Sequence, residues 1–598
     1  MTYEAVFQPM GRRVDVAPDS TLLEAAQKAG IGLIAICGGQ GVCGRCMIRV
    51  MSGPVSSVTE TEEDELVPEE IAAGFRLACQ ARIKGAVLVN VPPESLDAVQ
   101  RTQVEGQFAQ VSPLPAVDAV EVTVPPATLD DLRSDVTRLH AALPIGLASM
   151  SVDIEALRTL PDDLRAWDWQ TTAFIRGGEV IAVRPPGAAL LGLAVDLGTT
   201  KLAGYLMNLV SGETLAAAGA MNPQIAYGED VMARISHALS KPEGGEDLRR
   251  VIVDGLNNLA QTLCSQSGEN TADIAEAVIV GNTAMHHLFL GLPVGQLGRA
   301  PYVPAVSEGV SVRARDAGLV LASGAYVNLL PNIAGFVGAD HVAMLLASGL
   351  VEADKIVLGM DIGTNTEVSL KAGNRVLSCS TASGPAFEGA HITQGMRAAP
   401  GAIEHVALDG GKLHIKTVGD ERPVGFCGSG LLDVVAMLRQ MGALNARGGM
   451  LDHESVRRGE HGPEFVLLPA GENDGQEIFI TRNDVSELQL AKGAMRAGVR
   501  VLVERAGIAE SDIDQVIVAG AFGTYLDVQS GVAIGMFPRL PRHRFRQVGN
   551  AAGAGARMAL LSLAERARAE AIAARVEYVE LTTAPEFERY FAQSLMLE

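Results

Sequence analysis

The chain has 598 residues, 48% hydrophobic and 20% charged, with a formal net charge of −22; this composition is globular and long enough for several domains. So acidic a balance argues against a nucleic-acid or anionic-membrane surface. No secretory leader and no bilayer-length apolar run is legible, and the seven cysteines, four near the N-terminus and three scattered, do not form a secreted disulfide framework, so the cytoplasm is the expected location.

Residues 1–93 read as one unit. Tyr3 to Gln8 and Arg12 to Val16 are short strands around a Pro9-Met10-Gly11 turn, and Ser20 or Thr21 opens a short amphipathic helix, Leu22 to Ala29. Strands are expected at Met47 to Met51 and Val87 to Val91. Ahead of the first of these lie Cys37, Cys43 and Cys46 in a glycine-rich C-x5-C-x2-C run, and Cys79 follows with 32 residues between it and Cys46. Plant-type [2Fe–2S] ferredoxins space their cysteines C-x4-C-x2-C…C. The extra residue here resembles the adrenodoxin-like ferredoxins instead. Glycines suit a loop whose N–H groups must wrap an inorganic core. A four-cysteine zinc site is the alternative, but such sites pair ligands at short spacing at both ends, which a single distant Cys79 does not do.

Residues 94–112 are polar and aperiodic and read as a linker. Residues 113–190 read as a small α/β module: a strand at Val120 to Val124, a helix over Thr128 to Leu143, a second over about Asp153 to Leu160, and a hairpin over about Gln170 to Val183 turning at Gly177-Gly178. Trp167 and Trp169 fit core or interface positions. No chemistry is legible in this module, and its expected work is spacing or docking.

The remainder, 191–598, is organised around Val195-Asp196-Leu197-Gly198-Thr199-Thr200-Lys201 and its echo Met360-Asp361-Ile362-Gly363-Thr364-Asn365-Thr366. In each, an apolar strand reaches an Asp, Gly-Thr makes a tight turn, and a second strand returns. The glycine allows close approach of a ligand, turn N–H groups and Thr hydroxyls can donate to phosphate oxygens, and the Asp can hold Mg2+ directly or through water. One such turn is an ordinary hairpin. Two, each followed by a helix-like stretch and a buried strand closed by glycine (Asp273 to Asn282; Asp512 to Ala521), point to a duplicated unit whose halves face each other across a cleft.

Other candidates come from loops and helix starts. Asn282 and Thr283 suit an N-cap, and the adjacent His286 and His287 do not share a helical face. Glu229, Asp230 and Arg234 read as a solvated helix start, slightly ahead of a catalytic role. Glu388 sits in a Gly384-Pro385 loop by the expected cleft, where it can orient water or Mg2+ or simply cap a turn. Gly428, Ser429 and Gly430 open a helix and offer free N–H groups to an anion. Lys492 and Arg496 stand one turn apart, either reaching the cleft or forming a solvated basic face. Gly520 and Ala521 begin a glycine turn suited to a flat base or ribose.

Together the two hairpins and the late glycine turn resemble the superfamily of actin, sugar kinases and heat-shock chaperone ATPases. With an N-terminal four-cysteine domain, the chain resembles the reductive activators of corrinoid proteins over nearly its whole length. The motifs that carry this are Asp196 to Thr200, Val280-Gly-Asn-Thr283, Asp361 to Asn365, Ser383 to Glu388, Cys427 to Gly430, Glu487 to Lys492 and Ala519 to Gly523. The resemblance implies an α/β multidomain protein: a β-grasp [2Fe–2S] ferredoxin domain, the small α/β middle module and a duplicated actin-like ATPase domain with ribonuclease H-like halves. It implies a [2Fe–2S] cluster on Cys37, Cys43, Cys46 and Cys79, with ATP and Mg2+ as further cofactors. Asp196, Gly198, Thr199, Thr200, Asp361, Gly363 and Thr364 would serve phosphates and Mg2+, with Asp196, Asp361 and Glu388 the catalytic carboxylates. Gly428, Ser429, Gly430, Lys492, Gly520 and Ala521 would line the nucleoside side, and Ser383 is a candidate contact to the partner. The implied activity is ATP-dependent return of inactive cob(II)alamin to cob(I)alamin in a corrinoid protein of a methyltransferase system, fed by an upstream electron donor. Nothing in the composition speaks against a homodimer. The other readings are a phosphotransferase or a chaperone-like ATPase with a fused redox-sensing ferredoxin domain.

Overall fold

The structure is a computed structural model that describes residues 2–8, 12–29, 31, 33, 35, 39–41, 46–66, 68–91, 95, 111–144, 150–389, 391–409, 412–459, 462–520, 523 and 526–597. Its contacts divide the chain into two compact units, one of Met1–Val99, Met221–Gly255 and His287–Ala305, the other of Gln100–Ala220, Leu256–His286 and Val306–Glu598. The expected linker at 94–112 lies, but for residues 95, 111 and 112, outside the described residues. No helix among the described residues is long and apolar enough to cross a membrane.

In the first unit a five-stranded sheet runs Arg12–Val16, Tyr3–Gln8, Val87–Asn90, Met47–Ser52, Phe75–Leu77. Tyr3–Gln8 pairs parallel with Val87–Asn90 and antiparallel with Arg12–Val16. Alternating Ala5, Phe7, Val87 and Val89 are buried with Leu22, Ala25 and Ala26 of the helix Leu22–Lys28, as the period-two strands and the amphipathic helix require. This is the β-grasp arrangement. The helix starts in a capping box between Thr21 and Glu24.

Two short helices, Glu60–Glu65 and Pro68–Ala72, were not anticipated. The first has its own capping box, Thr59 with Glu62, a signal that the sequence carries in Thr-x-x-Glu. Glu62 also meets Arg76: its carboxylate accepts from Arg76 Nε at 2.9 Å, Arg76 Nη2 at 2.7 Å and the Leu77 N–H at 3.0 Å. The guanidinium donates further to the Ser56 and Ser57 carbonyls. Both charges of this pair are thus satisfied in the interior, just ahead of Cys79 in the chain.

The same unit corrects the reading of Glu229, Asp230 and Arg234 as solvated. Asp230 does cap the helix Val231–Ser240, accepting from Ala233 N at 2.7 Å. Arg234, however, is fully buried, donating to Gly228 O at 2.9 Å and Gln224 Oε1 at 3.2 Å, and Glu229 is buried too. The preceding Pro223–Tyr227 turn folds back over the helix start and presents these acceptors.

The second unit holds two six-stranded sheets built alike. One runs Thr214–Met221, Lys201–Asn208, Leu191–Leu197, Ile274–Gly281, Tyr326–Leu329, Val310–Arg313; the other runs Arg375–Thr381, Thr366–Ala372, Val357–Ile362, Gln515–Ala519, Phe545–Gly549, with Val576–Tyr578 beyond Arg375–Thr381. The parallel register repeats as well: Asp196 lies opposite Val280 and Asp361 opposite Ala519, each one residue before a glycine, while the antiparallel partners, Ala203 and Glu367, differ by one residue because the second turn is one residue shorter. The duplication expected from the paired hairpins is present at the level of single residues.

The small module forms a four-stranded sheet, Asp118–Thr123, Gln170–Arg176, Glu179–Arg184, Ser151–Val152, with helices Asp135–Ala142 and Ile154–Ala166. The helix expected from Thr128 begins only at Asp135. Asp131 binds Arg133 and Arg138, Ser134 caps the helix through Thr137 N, and Leu129 and Leu132 are left 95% and 84% exposed. The second helix runs past Pro161 because Leu160 and Leu164 on either side are buried. Trp167 and Trp169 pack against the module's core. Ion pairs join it to the first duplicated half: Arg313–Glu179 at 2.6 Å, Arg315–Asp153 at 2.8 Å and Arg184–Asp273 at 2.7 Å.

Glu62→Ala would leave the Arg76 guanidinium buried without its counter-charge. The expected cost is about 3–5 kcal/mol, read as lost amide hydrogen-exchange protection over Met47–Ser52 and Phe75–Leu77 in the full chain. Unchanged protection there would contradict the role given to this pair.

Candidate functional site

The two hairpin turns of the second unit meet across a cleft that both of them line. Their tips touch: the Thr200 and Thr364 hydroxyls are 3.3 Å apart. Asp196, Gly198, Thr199 and Thr200 line the cleft from one side and Asp361, Gly363 and Thr364 from the other; Glu388, Gly428, Ser429 and Gly520 complete its wall. Each turn is pinned by side chains. Asn282 Nδ2 donates to Thr199 Oγ1 at 2.8 Å while its Oδ1 accepts from Met285 N at the start of the helix Thr283–Leu290. Asn550 does the same from the other half: Nδ2 donates to Asp196 Oδ2 at 2.9 Å, and Oδ1 accepts from Gly553 N to cap the helix Ala551–Leu561. The second turn rests on Ser383, whose hydroxyl reaches Thr366 Oγ1 at 2.9 Å and the Gly363 and Thr364 carbonyls.

The cleft floor gathers acid. Asp196, Asp340, Asp361 and Glu367 all line it. Asp196 and Asp361 keep some accessible surface there but are enclosed by protein on their other sides. Desolvation, then the charge of Asp340, pushes the Asp196 carboxyl up to about 7; desolvation, then Asp340 and Asp196, pushes Asp361 up to about 8. Burial likewise raises Asp340 and Glu367. Such a set favours a bound cation, which restores the ionised forms. Glu388 accepts the Thr364 hydroxyl at 2.5 Å through Oε1, and its buried Oε2 has no hydrogen-bond partner. That free oxygen is available to a water or a ligand.

The cleft wall is shaped for close backbone approach. Gly428 opens the helix Gly428–Gln440, and a Cβ there would lie 2.0 Å from Phe387 O. Gly520 has φ +93°, and its Cβ would meet Ile362 O at 2.4 Å and Asp361 Oδ1 at 2.9 Å. Gly428 and Ser429 bring the start of this helix to the cleft, where its dipole favours an anion. These features fit a polyphosphate with its cation.

In the first unit, Cys46 and Cys79 are buried side by side in the chain's hydrogen bonding, Ala78 N donating to Cys46 O at 3.0 Å. Gln80 Nε2 donates to Gly39 O at 3.2 Å and lies 3.6 Å from Cys79 Sγ, within reach of a thiolate acceptor. Gly39 and Gly41 take φ values of +87° and +88°, the left-handed conformation that the glycine-rich loop supplies. Two thiols, left-handed glycines and an amide donor aimed at sulfur fit an iron–sulfur group. Cys37 and Cys43 lie outside the described residues, as does Ala521.

Residues 6–84 match the 2Fe-2S iron-sulfur cluster binding domain, 106–188 the RACo linker region, 191–353 the RACo middle region, and 355–598 the C-terminal domain of RACo, the ASKHA domain. The chain is 31% identical over 607 aligned positions to the corrinoid activation enzyme RamQ of Eubacterium limosum, covering 99% of this chain and 98% of the relative. The chain belongs to the reductive activators of corrinoid proteins. It is also 28% identical to a [Co(II) methylated amine-specific corrinoid protein] reductase of Methanosarcina barkeri, over 62% of this chain and 70% of that one. The solved structure of a reductive activator for a corrinoid, iron-sulfur protein superposes with a TM-score of 0.73 at 35% identity, covering 100% of this chain and 98% of that chain.

In this activator four expected residues stand elsewhere. Lys492 is buried in the helix Arg482–Ala506 and donates to Met596 O instead of lining the cleft, because the C-terminal chain packs over it. Arg496 pairs with Glu510 at 2.5 Å. Gly430 is not at the cleft surface; a Cβ there would strike Ile403 O at 2.1 Å, so it serves helix-to-strand packing. Ser383 is buried behind the second turn and out of reach of a partner protein. Conversely, Lys201, Arg397, Asp340 and Asn550 line the cleft and were not singled out. Lys201 directly follows the first Gly-Thr-Thr and was legible as the cation of that turn; burial lowers its pKa, while Glu388 opposes the shift. Asp340 and Asn550 sit at helix starts far from either hairpin in sequence and carried no spacing signal.

The raised carboxylates fix the sign of a pH effect. A carboxyl whose folded pKa exceeds its unfolded value stabilises the fold below the unfolded pKa, and this contribution is lost as pH rises through the folded pKa. Without divalent cation, stability should therefore fall between about pH 4 and 8, and Asp361→Asn should recover on the order of 2 kcal/mol at the alkaline end. Urea unfolding at several pH values in chelator checks this; a parallel pH profile for the variant would contradict it. Added divalent cation should bind more tightly as pH rises over the same window.

Proposed function

We propose that this protein uses ATP to drive reductive activation of a corrinoid protein, delivering an electron that returns cob(II)alamin to cob(I)alamin in a methyl-transfer system. The observation that carries this reading is the pair of Asp-x-Gly-Thr turns opposed over a buried acid cluster in a chain that begins with a four-cysteine ferredoxin domain. Cys37, Cys43, Cys46 and Cys79 hold the [2Fe–2S] group, with Gln80 tuning Cys79 by its N–H. Gly198, Thr199, Thr200, Gly363 and Thr364 hold the phosphates of ATP. Asp196 and Asp361 hold Mg2+ directly or through water. Gly428, Ser429, Gly520 and Ala521 line the nucleoside side. When bound, the cluster supplies one low-potential electron, and the nucleotide supplies the free energy that makes delivery directional.

The chain's own residues then have defined tasks. Thr200 and Thr364 bring the two lobes into contact at the phosphates. Lys201 and Arg397 bring positive charge to a site where phosphate charge must be offset. Glu388, held by the Thr364 hydroxyl, keeps one carboxylate oxygen free to orient a water for hydrolysis. Asn282 and Asn550 fix Thr199 and Asp196 so that neither turns away.

The magnitudes are compatible. A plant-type ferredoxin centre lies near about −400 mV, and moving one electron uphill by ~100 mV costs about 2.3 kcal/mol. Coupling between two sites commonly supplies roughly 1–3 kcal/mol. The nucleotide need only change how the activator binds the two cobalt states; it need not react with cobalt. The partners are a corrinoid protein and an upstream electron donor, and a homodimer is compatible with this scheme. The reduced thiols that the cluster requires suit the cytoplasm.

Reduced protein, Mg-ATP and a Co(II) corrinoid protein, mixed anaerobically, should give nucleotide-dependent loss of the Co(II) spectrum. Full reduction without nucleotide would sink the coupling, and no reduction under any condition would sink the corrinoid target. Cys43→Ser should abolish reduction while ATP hydrolysis persists. Asp361→Ala should leave iron content unchanged and lower ATP turnover by about 100-fold; unchanged turnover would remove Asp361 from the site.

A further inference from the structure

His405, Asp433 and Asp527 bring one ligand atom each to within 4.8 Å of one another. They come from three elements: the strand Ala402–Asp409, the helix Gly428–Gln440 and the cap of the helix Val528–Ala533. His405 Nδ1 lies 2.5 Å from Asp433 Oδ2, which also accepts from Val406 N at 3.2 Å. Asp527 Oδ1 accepts from Gln529 N at 2.6 Å and Ser530 N at 3.4 Å, which leaves its other oxygen uncommitted in those contacts.

A histidine–aspartate ion pair accounts for two of these residues and not the third. Asp433 is 2% exposed, and its Oδ1 has no hydrogen-bond partner. Asp527, half-buried, adds a second carboxylate beside it. A buried carboxylate with an unpartnered oxygen next to a second carboxylate costs free energy unless a cation offsets it. His405 is about half exposed, so solvent can complete a coordination sphere from its side.

We propose that His405, Asp433 and Asp527 form a binding site for a divalent first-row transition-metal ion, separate from the Mg2+ position at the cleft floor. One imidazole and two carboxylates suit Zn2+, Fe2+ and Mn2+ better than Mg2+ or Ca2+, which favour oxygen alone. By the usual affinity order, Zn2+ binds more tightly than Mn2+. A metal here fastens the helix whose first turn lines the cleft to the helix that follows the Gly520 turn. It thereby holds two segments of the cleft wall at a fixed spacing from outside.

The test uses the full chain with its iron–sulfur centre reconstituted anaerobically, so that the four cysteines are occupied. Zn2+ alone is added, excess is removed by gel filtration, and zinc and iron are both measured. Wild type should keep close to one zinc per chain at unchanged iron. His405→Ala, at a half-exposed position, and Asp527→Asn, which keeps the capping oxygen, should bind zinc at least about tenfold more weakly at the same iron content and circular dichroism. Mn2+ should show weaker binding with the same dependence on both residues, read from its paramagnetic resonance signal. Equal zinc retention by wild type and both variants, zinc gained only as iron is lost, or no retained zinc in wild type would each overturn the proposal.

Discussion

Four carboxylates gathered at the floor of one cleft are the constraint around which this molecule is arranged. Asp196, Asp340, Asp361 and Glu367 repel one another in a partly desolvated space, and no hydrophobic gain comes from placing them there. Such a grouping persists because the surrounding fold over-determines it. Two sheets that share a five-strand core aim their central strands at one cleft. Helices begin at the cleft with Asp340, Gly428 and Ala551 in their first turns, so that backbone N–H groups, not side-chain cations alone, meet the charge.

The duplication explains why the site needs no long-range signal to be found, only a local one repeated. Asp196 and Asp361 occupy the same register in their sheets, so any ligand bridging them experiences pseudo-symmetric surroundings. The symmetry is broken where the chemistry must be one-sided. The first turn is held by two asparagine side chains; the second is held by Ser383 from behind and carries Glu388 on its Thr364 hydroxyl. The lone free oxygen of Glu388 therefore belongs to one half only.

Much of this was legible in the residues, and what was not has physical causes. The strand-turn-strand pattern at both Asp-x-Gly-Thr stretches is local and period-two, so element and site appeared together. The four-cysteine spacing was likewise local. Lys492 misled because a basic residue on a helix looks alike whether it faces a ligand or the backbone of a distant terminus; only tertiary packing against Met596 decides. The overlong helix at Thr128 misled because Leu129 and Leu132 continue the helical period, yet Asp131 and Ser134 satisfy the backbone and the arginines locally first. Asp340 and Asn550 escaped notice because their partners are remote in the chain.

That remoteness of Asn550 bears on biosynthesis. The amide that steadies Asp196 is encoded 354 residues after it, and at ordinary translation speeds it leaves the ribosome roughly 20–70 s later. Until then Asp196 lacks this partner, and the cleft that the two halves line cannot be completed before nearly all of the polypeptide has emerged.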